Sequence, residues 1–216
     1  VAVLTAMAMG MSGVRYGLTT FLLSSLPATV LVAAGAFWLR RRNPTHVIAD
    51  ADDPPLERAA RRRRRIALAA GLLIAATLIG GRLVTGIGSP ESIAQLFDNV
   101  FHLNAVAIVH STGDGSSLTL GNLTEASRAF YPAAFHDVAA LLLDVGVTPA
   151  VALNVVSILM STVVWPLSLM FLASRLFGYR PDVLLLTGVL AAAFSAFPYP
   201  PLSFGVLYPF HAGMAV

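Results

Sequence analysis

Cysteine and lysine are both absent from this chain of 216 residues, and charged residues of either sign are scarce. Without cysteine, the chain can form neither a disulfide framework nor a thiolate metal site. Without lysine, the glycines of segment 112–117 lack the side chain that a phosphate-binding P-loop requires. Only 12% of the residues are charged and 56% are hydrophobic, which excludes an ordinary soluble domain and favours a chain that lies in a lipid bilayer.

Long apolar windows are what the sequence has in abundance. A helix needs roughly 20 mostly apolar residues to cross about 30 Å of hydrocarbon. Such windows cover 17–39, 66–87, 147–173 and, in a shorter form, 183–197, and residues 1–11 are interpreted as the remnant of a fifth. We therefore expect an all-α, polytopic transmembrane protein with about four spans, and we interpret both ends of the chain as cuts through a longer protein.

Arginine is concentrated between the first two windows. Nine of the 14 arginines lie there, at positions 40–42, 58 and 61–65. Short loops that are rich in arginine stay in the cytoplasm, so segment 40–65 is predicted to be cytoplasmic. Alternation then places 88–146, and the residues from 198 onward, on the extracytoplasmic side. Topology and anionic headgroups explain a basic cluster between two spans, so the bilayer is the expected partner and nucleic acid is not.

This topology divides the chain into three parts. Residues 1–87 hold the N-terminal transmembrane helices and the basic loop, and residues 147–216 hold the C-terminal helices with a further outer loop. Between them, residues 88–146 form an extracytoplasmic loop that is longer than a connection requires. Loops of this length are usually functional or folded, so candidate site residues are sought there first.

The first half of this loop has the pattern of an amphipathic helix from about residue 90 to 110. Ser89, Pro90 and Glu91 supply an N-cap, a first-turn proline and a first-turn acid. An apolar stripe that includes Phe97 follows, and such a helix is expected to lie along the membrane interface. On its opposite side, the spacing of Asp98 and His102 makes them neighbours, either as parts of a site or as a solvated i, i+4 pair.

The second half of the loop contains the segment FYPAAFHD (130–137), which predicts a short helix that enters the interface. His136 and Asp137 could bind a ligand at the mouth of a cavity or form ordinary solvated surface. Tyr131 could bind substrate or only anchor the chain at the headgroup level. A Tyr-Pro pair begins at positions 131, 199 and 208, each time on the predicted outer side.

Arg128 is the only guanidinium in the outer loop proper. Arginine is well suited to bind phosphate through two parallel hydrogen bonds, so Arg128 is a candidate ligand for a phosphate group. The alternative is that it pairs with Glu125 or contacts a lipid headgroup.

Three segments carry a resemblance to known proteins: DNVFHLNA (98–105), FYPAAFHD (130–137) and FGVLYP (204–209). Through them, the chain from about residue 65 to 208 resembles a family of uncharacterised, alanine- and leucine-rich actinobacterial membrane proteins. The layout of that family is in turn similar to that of the GT-C glycosyltransferases. Those polytopic enzymes take sugar from a polyprenyl-phosphate donor and carry an acid in an outer loop just after a spanning helix.

The resemblance implies a fragment of a larger GT-C-like fold in the plasma membrane, a polyprenyl-phosphate sugar donor and a cell-envelope glycan as acceptor. It implies that Asp98, with His102 beside it, is the general base, and that Arg128 holds the donor phosphate. Tyr131, His136 and Asp137, which the segment 130–137 already suggests, are further candidates for binding the substrate. No cofactor or metal is indicated, although some members of that superfamily use a divalent ion. The sequence departs from their pattern because Asn99 replaces the second acid of the usual doublet and because the spans are too few.

A non-catalytic membrane protein is the alternative, either a structural subunit or a fragment of a transporter. The apolar windows contain few ionisable residues, and Arg82 lies close to the end of its window. Pathways for ions usually leave charges at mid-membrane depth, so transport is the weaker of these two options.

Overall fold

The computed structural model describes residues 2–42, 58–124 and 128–216, and within these ranges all regular structure is helical. The predicted all-α class is confirmed. The helices are α1 (Ala2–Ser12), α2 (Leu18–Arg42), α3 (Arg58–Ile87), α4 (Phe97–Thr112), α5 (Ala134–Leu143), α6 (Pro149–Leu159), α7 (Trp165–Phe177), α8 (Pro181–Ala191), α9 (Tyr199–Ser203) and α10 (Tyr208–Ala215). A 3₁₀ turn (Leu120–Asn122) lies between α4 and α5, and a π-helical segment (Met160–Val164) joins α6 to α7.

Three helices in the described part of the chain are long and apolar enough to cross a membrane. They are Leu18–Leu39, Arg58–Ile87 and Pro149–Phe177, and the last runs without interruption through α6, the π segment and α7. The fourth window, 183–197, forms only the 11-residue α8, which is shorter than a span. The helix ends where the backbone N–H groups of Ala192 and Ala193 donate hydrogen bonds to carbonyls three residues earlier. An apolar window alone does not reveal such an end.

The basic segment is shorter as a loop than the sequence suggests. α2 continues to Arg42 and α3 already begins at Arg58, so the arginines at 61–65 lie in the first turns of a helix. Residues 43–57 of the predicted cytoplasmic loop 40–65 lie outside the described residues, as does Glu125. The cytoplasmic location of this segment therefore stays a prediction.

The largest apolar core forms where α1, α4, α5, α6 and α10 meet. Its fully buried members include Ala6 of α1, Val106 of α4, Phe135 of α5 and Leu153 of α6. Although α1 has only 11 residues, too few for a span, it is tied into this core. The extracytoplasmic segment predicted from the sequence is thus packed against the membrane helices.

The start of α4 differs from the sequence-based expectation. The turn signals at Ser89 and Pro90 do not begin a helix, which starts seven residues later at Phe97. The side chain of Asn154 on α6 donates hydrogen bonds of 2.9 and 2.8 Å to the carbonyls of Pro90 and Ser92. Because this tertiary contact holds the segment in a non-helical conformation, the local helix signals are overridden.

Candidate functional site

Two histidines form a buried pair between α4 and α5. Nδ1 of His102 lies 2.9 Å from Nε2 of His136, and the two rings are stacked with their centroids 5.1 Å apart. His102 is 4% exposed and His136 is fully buried. The prediction placed His102 on a solvated face of α4. That placement is wrong, since the face that packs against α5 also contains Asn99, Ala105, Val106 and Val109.

Aromatic rings enclose the pair. The Tyr208 ring contacts His102 at 4.8 Å between centroids, and the Tyr131 ring contacts His136 at 5.6 Å. Phe101 lies against both histidines and against Tyr131. These rings exclude water from the bond between the histidines, which strengthens that bond and makes charging either ring costly.

Both histidines are held neutral at physiological pH. Burial, with the neighbouring His102 as the second cause, lowers the pKa of His136 to about 3. Burial also lowers the pKa of His102. The negative charge of Asp98 acts in the opposite direction and raises it, but by less. A neutral imidazole has one N–H and one bare nitrogen, so one ring donates and the other accepts in the bond between them.

Asp98 lies beside this pair at the surface. It is exposed in the first turn of α4, where the positive end of the helix dipole favours a carboxylate. The pKa of Tyr131 is raised first by burial and second by the negative charge of Asp98. The structure therefore brings together four of the predicted site residues: Asp98, His102, Tyr131 and His136.

Asp137 and Arg128 are not part of that cluster. Asp137 is fully buried, and the Tyr16 hydroxyl donates to its backbone carbonyl at 3.3 Å. Its carboxylate lies against Gly115, and neither of its oxygens has a hydrogen-bond partner among the described residues. Arg128 is exposed in the segment without regular secondary structure that leads to Tyr131.

Asn99 and Tyr208 were not among the predicted site residues, although both contact the cluster. The Tyr208 hydroxyl lies 3.4 Å from Oδ1 of Asn99, and Asn99 donates to the Ala94 carbonyl at 3.1 Å. Burial raises the pKa of Tyr208 to about 12, so its hydroxyl keeps its proton. The recurrence of Tyr-Pro was a usable signal, because two of its three tyrosines touch this histidine pair.

A second polar pair is buried at the π segment. Nε2 of His211 on α10 lies 2.9 Å from the Ser161 hydroxyl, which also bonds to the Ser157 carbonyl. Phe197 stacks on the His211 ring at 5.1 Å. π-helical segments are frequent at functional sites, but both side chains of this pair are fully buried, so we assign it to the packing of α10.

No three His, Asp or Glu side chains in the described ranges converge in an arrangement that would hold a metal ion. The histidine pair has the nitrogen ligands that transition metals prefer, but the two nitrogens that face each other already share one hydrogen bond.

The comparisons with known proteins identify the family but no reaction. The sequence pattern of DUF6541, described as a family of unknown function, matches residues 1–216, and the chain therefore belongs to that family. Neither the curated proteins nor the solved structures include a match to this chain. The findings support a helical protein whose described residues include three helices long and apolar enough to cross a membrane, and kinship with the GT-C enzymes stays a prediction.

Proposed function

We propose that the protein is a glycosyltransferase of the plasma membrane, or part of one, which moves a sugar from a polyprenyl-phosphate donor to a hydroxyl acceptor outside the cytoplasm. The observation that carries the proposal is the exposed carboxylate of Asp98, which follows a spanning helix closely in the chain and lies beside a buried histidine pair. A carboxylate in that place is the feature through which the chain resembles the GT-C enzymes.

The reaction requires the protein to supply one proton acceptor. As the acceptor hydroxyl attacks C1 of the sugar, Asp98 takes its proton, a new bond forms from that oxygen to C1, and the bond from C1 to the phosphate oxygen breaks. Polyprenyl phosphate leaves with the electron pair. Arg128 would stabilise the leaving phosphate through charge-assisted hydrogen bonds.

The histidine pair would position the base rather than act on the sugar. Because His136 holds His102 through a 2.9 Å bond, the neutral His102 ring is fixed beside the charged Asp98. A neutral His102 ring places no positive charge beside the Asp98 carboxylate. Tyr131, whose ring contacts His136, would contact the sugar or the acceptor.

The exposed apolar residues of α4 suit this role at a membrane surface. Phe97 is 92% exposed and Val100 is 60% exposed, and both lie within one turn of Asp98. Apolar side chains beside a carboxylate on one helix match a helix that rests in the headgroup layer. A lipid-linked donor in that layer would reach Asp98 without leaving the membrane.

The test is transfer of sugar by the full-length protein in nanodiscs that contain a polyprenyl-phosphate sugar. General-base assistance typically contributes about 10²- to 10⁴-fold, so Asp98→Asn should lower kcat by that range while the KM for the donor changes little. Asp182→Asn, an exposed carboxylate at the start of α8, is the matched control and should retain full transfer.

Both variants should unfold at the wild-type temperature, since both carboxylates are exposed. Transfer by Asp98→Asn at the wild-type rate contradicts the catalytic role. If the full-length protein transfers no sugar from any lipid-phosphate donor, the non-catalytic alternative takes the place of this proposal.

A further inference from the structure

A cavity of about 300 Å³ opens where the end of α3 meets α9 and α10. Its walls are mostly apolar and include Leu83, Ile87, Ile93 and Leu202. Serine hydroxyls and the Asn154 amide add polar groups. The volume lies at the lower end of the range for small-molecule sites, and apolar walls with a few polar groups are typical of them.

Arg82 is the only charged side chain among the described residues that line this cavity, and no carboxylate faces it there. Its guanidinium carbon lies 4.1 Å from the centroid of the Tyr199 ring. Stacking on an aromatic ring fixes the plane of a guanidinium and leaves the N–H groups at its edge to bind an anion.

The depth of Arg82 matches a lipid headgroup. It lies five residues before the end of α3, which places it about 7.5 Å from that end at 1.5 Å per residue. Arg61–Arg65 occupy the opposite end of the same spanning helix. A guanidinium inside a span is costly unless it reaches a headgroup or an anion, and this cavity is where one would meet it.

The cavity adjoins the candidate site. Tyr208 lines the cavity and also contacts the His102 ring at 4.8 Å. Ala94 lines it too, and its carbonyl accepts the 3.1 Å hydrogen bond from Asn99, which belongs to the buried face of α4. One aromatic ring therefore separates the cavity from the histidine pair.

We propose that this cavity binds the phosphate group of a lipid, with Arg82 as the cation that holds it and the apolar walls as the seat of the first segment of its hydrocarbon chain. The inference rests on the proposed function for the identity of that lipid as the sugar donor, and it adds Arg82 to Arg128 as a second cation for the donor phosphate. Asn154, which also lines the cavity, is held in place because its Nδ2 donates to the Pro90 and Ser92 carbonyls.

The experiment measures binding of farnesyl phosphate to the full chain in detergent by calorimetric titration. Farnesol and inorganic phosphate, each at the same concentration, test the chain and the anion separately. Wild type should bind farnesyl phosphate at least about tenfold more tightly than either, because only this ligand fills both parts of the cavity. Arg82→Gln should weaken that binding by about tenfold or more, the effect of losing one charged hydrogen-bond donor.

Arg175→Gln is the matched control, an arginine in the last turn of α7 that should bind like wild type. Arg82→Lys should restore part of the affinity, since a cation returns without the planar fork. Equal unfolding temperatures for the variants show that they are folded. Wild-type affinity in Arg82→Gln, or equal affinity for inorganic phosphate, overturns the proposal.

The outcome is separable from that of the proposed function. Binding needs no transfer, because farnesyl phosphate carries no sugar. Binding that depends on Arg82 in a protein that transfers no sugar removes the function and leaves the lipid-phosphate site. Sugar transfer by Arg82→Gln with an unchanged KM for the donor removes the lipid-phosphate site and leaves the function.

Discussion

Asp137 is a carboxyl group that the fold buries without a hydrogen-bond partner among the described residues. Burial, with the nearby charge of Asp114 as the second cause, raises its pKa to about 8. The folded protein thus holds a proton on Asp137 up to about pH 8, whereas the unfolded chain releases it near its ordinary pKa of 3.8. The stability from this group is fully present below pH 3.8 and is lost as the pH rises towards 8, by about 1.4 kcal/mol per pH unit.

Asp137→Asn should remove this loss. The amide has the shape of the protonated carboxyl group and no charge at any pH, so we expect the variant to match wild type near pH 4 and to unfold at a higher temperature at pH 8. Thermal unfolding in detergent across that interval measures the difference. Asp182→Asn, an exposed carboxylate, should show no gain that grows with pH. A wild-type pH profile in Asp137→Asn would show that Asp137 is charged in the folded protein.

The residue scale also shows how far the sequence leads to the site. Helical spacing predicts that Asp98 and His102 are neighbours, and the charge of Asp98 does act on His102. The partner of His102 could not be predicted, because His136 is 34 residues away and meets it only through the packing of α4 on α5. Periodicity assigns faces to a helix but does not say which face the rest of the chain covers, and for α4 the covered face is the one with Asn99.

The helices α3 and α8 come into close contact at two glycines, Gly71 and Gly188. A Cβ built on Gly188 of α8 would lie 2.6 Å from the Cα of Gly71 on α3. Without a hydrophobic driving force between helices in lipid, small residues that let backbones approach are a main source of association. The contact therefore explains how an 11-residue helix is held against a spanning one.

Gly188→Ala should separate these helices and lower stability by about 1–3 kcal/mol, the usual cost of forcing extra atoms into a packed contact. Gly81→Ala is the matched control, because Gly81 is also helical and a Cβ there meets no atom within 4 Å. Alanine raises helix propensity equally at both positions, so the difference between the variants isolates the contact. Chemical unfolding in detergent gives both values, and equal stability of the two variants would contradict the close approach.

Element by element, apolar length was a good guide and local capping signals were a poor one. Three of the four windows match helices long enough to span, because lipid requires that backbone groups be satisfied within the segment. The start of α4 was missed because Thr148 bonds to Glu91 at 2.7 Å and Asn154 holds the flanking carbonyls. These partners lie about sixty residues away, beyond any local pattern.

At the scale of the whole molecule, charge divides the long helix α3 into two unlike ends. Arg61–Arg65 crowd its first turns, whereas only Arg82 lies near its last turns. Asp98 and the histidine pair come after the Arg82 end of α3 in the chain. The proposed lipid-phosphate cavity contains Arg82 itself. If the arginine cluster stays in the cytoplasm, every proposed functional group faces the other leaflet, which is where a donor lipid and an envelope glycan would meet.

This orientation can be measured with two single cysteines in the full-length protein. We expect Thr124→Cys, exposed in the segment between α4 and α5, to react with a membrane-impermeant maleimide added to intact cells. Ala59→Cys, exposed beside the arginine cluster, should react only after lysis, because a basic helix end is retained in the cytoplasm. The described chain contributes no background, since the whole 216-residue sequence lacks cysteine. Labelling of Ala59→Cys but not Thr124→Cys in intact cells would place Asp98 and the cavity in the cytoplasmic leaflet. The donor would then have to be cytoplasmic, and the proposed transfer to an envelope acceptor would fail on topology alone.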